Sequence, residues 1–228
     1  TSFSIKSGGE LTISDAQTLT ADSGLKFSGP GSVILSVAPT FGAGALLEMI
    51  GGNITLQGTA SGGVLNLSGS TLTLNGDLNT SSSTFTPPTN LSLTADATLT
   101  NAAAMSVTTL TLGDKKLTLG SDLTVAAAVT INTAAEQIIT AGNDLTLTGG
   151  VALTNGQITS NGGIVTLKGT VSSGTISTTG GSVVLNGNLI LNPTLLNTTG
   201  SSWNTSGHTL NFTGSSTFAG NISLSGGL

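Results

Sequence analysis

The chain of 228 residues contains no cysteine, no arginine and no tyrosine, and charged side chains make up only 7% of it. Each shortage removes a class of protein. Without cysteine, neither disulfides nor thiolate-bound metal can hold the fold, and no thiol nucleophile is available. The five basic residues are all lysines (Lys6, Lys26, Lys115, Lys116 and Lys168) and ten acids leave a net charge of −5. Neutralising phosphates takes clustered Lys and Arg, so a nucleic-acid partner is excluded, as is a polybasic membrane patch. Aromatics amount to 3%, few for a β-sandwich core that leans on large rings. The longest stretch without Asp, Glu, Lys or Arg, Gly169 to Leu228, is too broken by Gly, Ser, Asn and Thr to give about 20 consecutive apolar residues. No transmembrane helix is expected. The first residues, TSFSIKSGGELTIS, lack a basic region followed by an apolar one, so any export signal is expected to be removed or to lie outside this sequence.

What remains is apolar material in short pieces. Hydrophobic residues make up 37% of the chain, and Ser, Thr, Asn and Gly take over the solubilising work that charges do elsewhere, at roughly 25% of residues. An ordered chain is expected, because disorder goes with low hydrophobicity and high charge. The stretch Val107 to Asn132, VTTLTLGDKKLTLGSDLTVAAAVTIN, shows the pattern best. In an extended strand i and i+2 share a face, so each pair such as Leu117/Leu119 points one way and Thr118 the other.

One such pair recurs along the chain: Leu11/Ile13, Val33/Leu35, Ile54/Leu56, Leu72/Leu74, Leu91/Leu93, Leu110/Leu112, Val129/Ile131, Leu145/Leu147, Val165/Leu167 and Val183/Leu185. The mean step is about 19 residues, the sign of a repeat architecture. Further short apolar pairs lie between these, separated by Gly, Asn, Asp or Ser, so each repeat holds two or three strands and their turns. The fold expected is all-β: a right-handed parallel β-helix (β-solenoid) of about 19 residues per coil and roughly 12 coils. Leu, Val and Ile should point inward and Thr, Ser and Asn outward. A single coil cannot bury its own apolar face, whereas a stacked one does so above and below. Residues 1–228 read as one elongated domain, or as a fragment of a longer rod. The competing reading is an antiparallel sandwich with hairpins at Asn75-Gly76, Asn155-Gly156, Asn161-Gly162 and Asn186-Gly187; the near-constant period favours the solenoid.

Three segments break the rhythm. In Ala38 to Ile50, residues 43–50 suggest a helical turn; in Thr80 to Asn90, Pro87-Pro88 suggests a loop off the rod; Asn192 to Trp203 is irregular. Irregular loops are where a repeat scaffold places special contacts.

The 19-residue period, the units Leu72 to Gly76 (LTLNG) and Leu145 to Gly149 (LTLTG), and the Gly/Ser/Thr/Asn turns resemble the filamentous-haemagglutinin and autotransporter-passenger class of bacterial surface β-helices. The resemblance is architectural. It implies a secreted or surface-displayed fibre and carries over no functional residues. The pattern already present at Phe3 and Ile5 and still running at Asn221 to Gly226 leads to the expectation of open ends that stack end to end or continue into neighbouring segments.

An enzyme needs its acids grouped, and here Asp77, Asp96 and Asp114 fall at coil-like spacings that stacking could align on one ridge. Asp is also a good turn residue, which is the plainer explanation, with a calcium ladder as the other. His208, the single histidine, has no triad motif around it, and Lys115-Lys116 reads as a solvated turn. No catalytic residue, metal ligand or cofactor is assigned. Trp203, the single tryptophan, is the one candidate ligand contact, as a sugar-stacking platform, against the alternative of a core or loop cover. Thr71/Thr73 and Thr109/Thr111 raise an ice-binding array, interrupted at Asn90/Ser92 and Ala128/Thr130. The reading reached is a non-enzymatic extracellular or cell-surface β-solenoid, structural or adhesive, with a cell-surface or polysaccharide ligand; the alternatives are an ice-binding solenoid and a polysaccharide-binding or polysaccharide-degrading β-helix.

Overall fold

A computed structural model describes residues 1–37, 40–42, 44–192, 195–213, 218–219 and 223–225. All regular structure among them is β-strand, with no helix, and the strands stack in parallel as a β-solenoid of about 10 turns. The chain divides into two compact units, Thr1–Thr108 and Thr109–Leu228.

In the first unit each coil contributes strand to three walls. One wall stacks Glu10–Ile13, Ser32–Leu35, residues 53–56, residues 71–74 and Asn90–Leu93, in parallel and in register. Leu11, Val33, Ile54, Leu72 and Leu91 therefore form one continuous column, and the alternation of Leu with Thr follows from the two-residue period of the strand. The second wall stacks Thr18–Leu19 on Thr40–Phe41 and residues 78–79 on residues 58–59 and 99–100. The third stacks Ser2–Ser4, Gly24–Ser28, Leu46–Ile50, residues 64–66 and residues 84–86. Outside the third wall, Lys26 and Glu48 sit one above the other and pair at 3.1 Å, and Asn66 on the next coil donates to Glu48 Oε1 at 3.0 Å.

The second unit repeats the plan. Leu117, Ile138, Ile158, Ile176 and Leu196 form one inward column through parallel pairings. Leu123, Leu145, Val165, Val183 and Trp203 form another. Ile131, Leu153, Val171, Leu191 and Phe212 line the third wall. Most of these side chains are fully buried, and each such Leu, Val or Ile is worth about 1.5–3 kcal/mol relative to exposure. Because every one of these pairings is parallel, the Asn-Gly dipeptides are not hairpin turns. Asn75-Gly76 and Asn186-Gly187 lie inside the strands Thr71–Thr86 and Ser182–Leu191, where the chain turns from one wall to the next.

The even spacing of inward pairs conceals one change of wall. Val129 stacks on Val151, whereas Leu145 stacks on Leu123. The short step of 16 residues from Val129 to Leu145 is thus a passage between walls, which sequence alone cannot separate because Leu-Thr-Leu and Val-Thr-Ile look alike on both.

The irregular segments are more regular than their composition suggests. Residues 46–50 form a strand of the third wall, with Leu47 and Met49 fully buried, in place of the helical turn expected there; residues 38, 39 and 43 lie outside the described part. Thr80 to Thr86 remains within the strand Thr71–Thr86, with Ser82 to Thr86 opposite residues 61–66, and Pro87, Pro88 and Thr89 lie between it and the strand Asn90–Leu93, the two prolines having no N–H to donate to a ladder. In Asn192 to Trp203 the strands Leu195–Asn197 and Ser202–Asn204 keep their coils in step; residues 193 and 194, like 221, 222 and 226 of the expected open end, are outside the described residues.

Small polar side chains also face inward at corners. Thr140, Ser160, Thr178 and Thr198 are fully buried. Thr140 and Ser160 hydroxyls lie 3.3 Å apart, Ser160 Oγ donates to the Gly163 carbonyl, and Thr178 Oγ1 donates to Ser201 Oγ. The Ser160 hydroxyl thereby satisfies a turn carbonyl that a leucine would leave unpaired, whereas Thr198 Oγ1 is buried without a partner.

Candidate functional site

Trp203 is 1% exposed and stacks on Val183 inside the second unit. Its ring face is core, closed to a dissolved sugar, and its indole N–H has no hydrogen-bond acceptor. The rim of the surrounding turn carries His208, exposed, whose backbone N–H bonds the Thr205 carbonyl at 2.8 Å. Lys115 follows a tight turn with Gly113 at φ 58° and Asp114 at φ 62°, and Lys116 opens the strand Lys116–Leu119.

The acids are spread, and the contacts they make are mostly to the backbone. Asp77 does not register with Asp96, because that coil is 21 residues long at this wall: Leu78 stacks on Leu99, and Asp77 Oδ1 accepts the Thr98 N–H at 2.6 Å. Asp122 and Asp144 do stack. Asp122 Oδ1 accepts the Asp144 N–H at 2.9 Å and Asp144 Oδ1 accepts the Ile164 N–H at 2.8 Å. Each carboxylate stitches its own coil to the one above. Asn188 does the same for Thr209 at 3.0 Å. No cluster of three or more Asp, Glu or His occurs among the described residues. An aspartate used this way acts as an acceptor. Asp144→Ala is therefore expected to cost about 1 kcal/mol while Asp144→Asn costs much less, read as urea midpoints; equal losses for the two would show that charge rather than acceptor capacity matters.

The threonine array stays interrupted in the first unit. Thr71 registers with Asn53 on one side and Asn90 on the other, and Thr73 with Thr55 and Ser92.

A depression lies in the second unit, between Thr109–Thr111 and Val129–Ile131. These strands occupy adjacent coils and come within 8 Å Cα to Cα, yet no ladder joins them: Val129–Ile131 pairs only with Val151–Leu153, on its far side. The opening is a cavity of about 400 Å³ lined by Thr109, Leu110, Thr111, Leu112, Ala128, Thr130, Asn132 and Glu136. Glu136 is 7% exposed. Its Oε2 accepts the N–H of Asn132 at 2.6 Å and of Thr133 at 3.2 Å, and its own N–H bonds the Thr133 carbonyl at 3.1 Å. The carboxylate thus takes up backbone donors where the ladder stops. Oε1 has no partner among the described residues, and neither do the exposed hydroxyls of Thr111 and Thr130. Nothing in the sequence singled out Glu136; the one signal was its position five residues past a strand, in the turn Asn132 to Gln137.

Two smaller hollows, of about 270 and 260 Å³, hold one acid between them. The first is lined by Asp77, Asn79, Thr98 and Thr100 with Gly58, Thr59 and Leu78, the second by Asn155, Gln157 and Thr175 with Ala134, Gly156 and Gly174.

Each unit is thus a three-walled parallel β-solenoid whose outer faces are short, polar and nearly uncharged. No protein-family model, no curated protein and no solved structure matches the chain.

Proposed function

We propose that the protein is a non-enzymatic structural or adhesive β-solenoid of the extracellular, cell-surface kind, working as a stiff scaffold that presents its side faces. The observation that carries this reading is the use made of the carboxylates: Asp77, Asp122 and Asp144 hold backbone N–H groups of the following coil. General acid–base or nucleophilic work needs a carboxylate free to exchange a proton or attack at a substrate. Here these three aspartates extend the ladder from coil to coil, and the low charge of the outer faces suits a surface that meets other uncharged polymers.

The test is incubation with a panel of neutral and acidic polysaccharides, followed by reducing-end and unsaturated-product assays. The expected result is no product above a heat-denatured control. Product formation that disappears on replacing an acid would replace this reading with the polysaccharide-degrading one.

A further inference from the structure

We infer that the cleft between Thr109–Thr111 and Val129–Ile131 is a binding site for neutral polysaccharide, with Glu136 Oε1 as the acceptor for a sugar hydroxyl and Thr111, Thr130 and Asn132 completing the hydrogen bonds. The inference rests on the reading of the chain as an adhesive scaffold and gives it a ligand class.

Three observations converge on the cleft. First, it marks a break in the ladder: adjacent coils approach within 8 Å without pairing, while the same two coils do pair at the neighbouring wall, where Leu117 stacks on Ile138. Second, a carboxylate is fixed at its edge. Two backbone N–H groups hold Glu136 Oε2, so the side chain loses little freedom when a ligand binds, and Oε1 remains as an acceptor for a charge-assisted hydrogen bond. Third, the groups around it are hydroxyls and an amide, which both donate and accept, over the apolar floor of Leu110 and Leu112. That combination suits vicinal hydroxyls on a ring with a C–H face.

Other occupants fit less well. An added peptide strand needs its flanking strands about 9.6 Å apart, twice the strand spacing, and these approach more closely. Calcium takes six to eight oxygens, usually with several carboxylates, and the lining holds one acid. An ammonium group would gain a single ion pair open to water, which adds little. The volume, about 400 Å³, is near the lower end of the roughly 300–1,000 Å³ of ligand pockets, and no aromatic ring lines it, so a short stretch of sugar bound weakly is the expected ligand.

The experiment is a titration of the ¹⁵N-labelled full chain with cellohexaose, xylohexaose, maltohexaose and laminarihexaose, following the Asn132 and Thr133 amides, with n-butylamine and calcium chloride as comparisons. The expected result is a saturable shift with at least one hexasaccharide, at concentrations up to on the order of 10 mM, weakened about tenfold in Thr130→Val and in Glu136→Gln. Thr130 is an exposed strand position, so its valine variant keeps the fold even if the Glu136 variant loosens the turn; urea midpoints check both. The inference is overturned if no hexasaccharide gives a saturable shift, if only butylamine or calcium does, or if sugar binding survives both substitutions. Failure here leaves the scaffold reading standing, whereas shortened sugars appearing in the sample tube would sink that reading instead.

Discussion

Replacing Gly169 by alanine is expected to destabilise the second unit by about 3 kcal/mol, a large effect for one methyl group. Gly169 sits where the strand Ile164–Val171 passes from one wall to the next, the register slipping between Leu167 and Gly169. Its φ is 115°, a conformation that costs an L-residue about 1–3 kcal/mol. A Cβ there would also overlap the backbone carbonyl oxygen of Val151 on the preceding coil, and backbone in a stacked ladder cannot move aside without breaking its own hydrogen bonds. Gly180 separates the two contributions. Its φ is 66° but nothing lies within 4 Å of where its Cβ would be, so Gly180→Ala should cost only the backbone strain, about 1 kcal/mol. Urea unfolding followed by the fluorescence of Trp203, which is buried in the same unit, measures both. Equal midpoints for the two variants would refute the role given to the Val151 carbonyl.

Trp203→Ala should be at least as damaging, at about 3–5 kcal/mol, because it empties the largest fully buried side chain of the protein. Trp203→Phe should cost about 2 kcal/mol or less. The indole N–H is buried without an acceptor, so phenylalanine gives up packing volume but no hydrogen bond, and it removes an unsatisfied donor whose burial is itself unfavourable. Far-UV circular dichroism in urea, which does not depend on the tryptophan, is the suitable readout. Two near-wild-type midpoints would mean that Trp203 is not part of the core and would return it to the surface role.

Much of this architecture is legible in the sequence because a strand has a period of two and a coil a nearly fixed length. Leu11, Val33, Ile54, Leu72 and Leu91, picked out by spacing alone, are stacked neighbours in the first unit. What spacing cannot show is the wall to which a pair belongs, which is why Val129 and Leu145 look consecutive and are not. Composition misleads at Thr80 to Thr86, where a Ser/Thr run resembles a loop but is held in place by the ladder of the coil beneath it. It misleads again at the corners, where Thr140 and Thr178 are inside. The candidate cleft was not legible at all: it depends on a pairing that fails to form between strands about 20 residues apart, and no local pattern distinguishes Val129–Ile131 from a strand paired on both sides.

The strands Asn53–Asn66 and Thr71–Thr86 run through all three walls of the first unit without leaving the sheet. Such a coil has no slack. One residue added within a wall would turn every later inward side chain outward until a bulge absorbed the slip, and bulges are already placed at the corners between Leu56 and Gly58 and between Ser61 and Val64. Length in this part of the chain can therefore change only in steps of a whole coil or at those corners, so that the stack behaves as a thread with a fixed pitch, open to exchange of its outward side chains and closed to insertion.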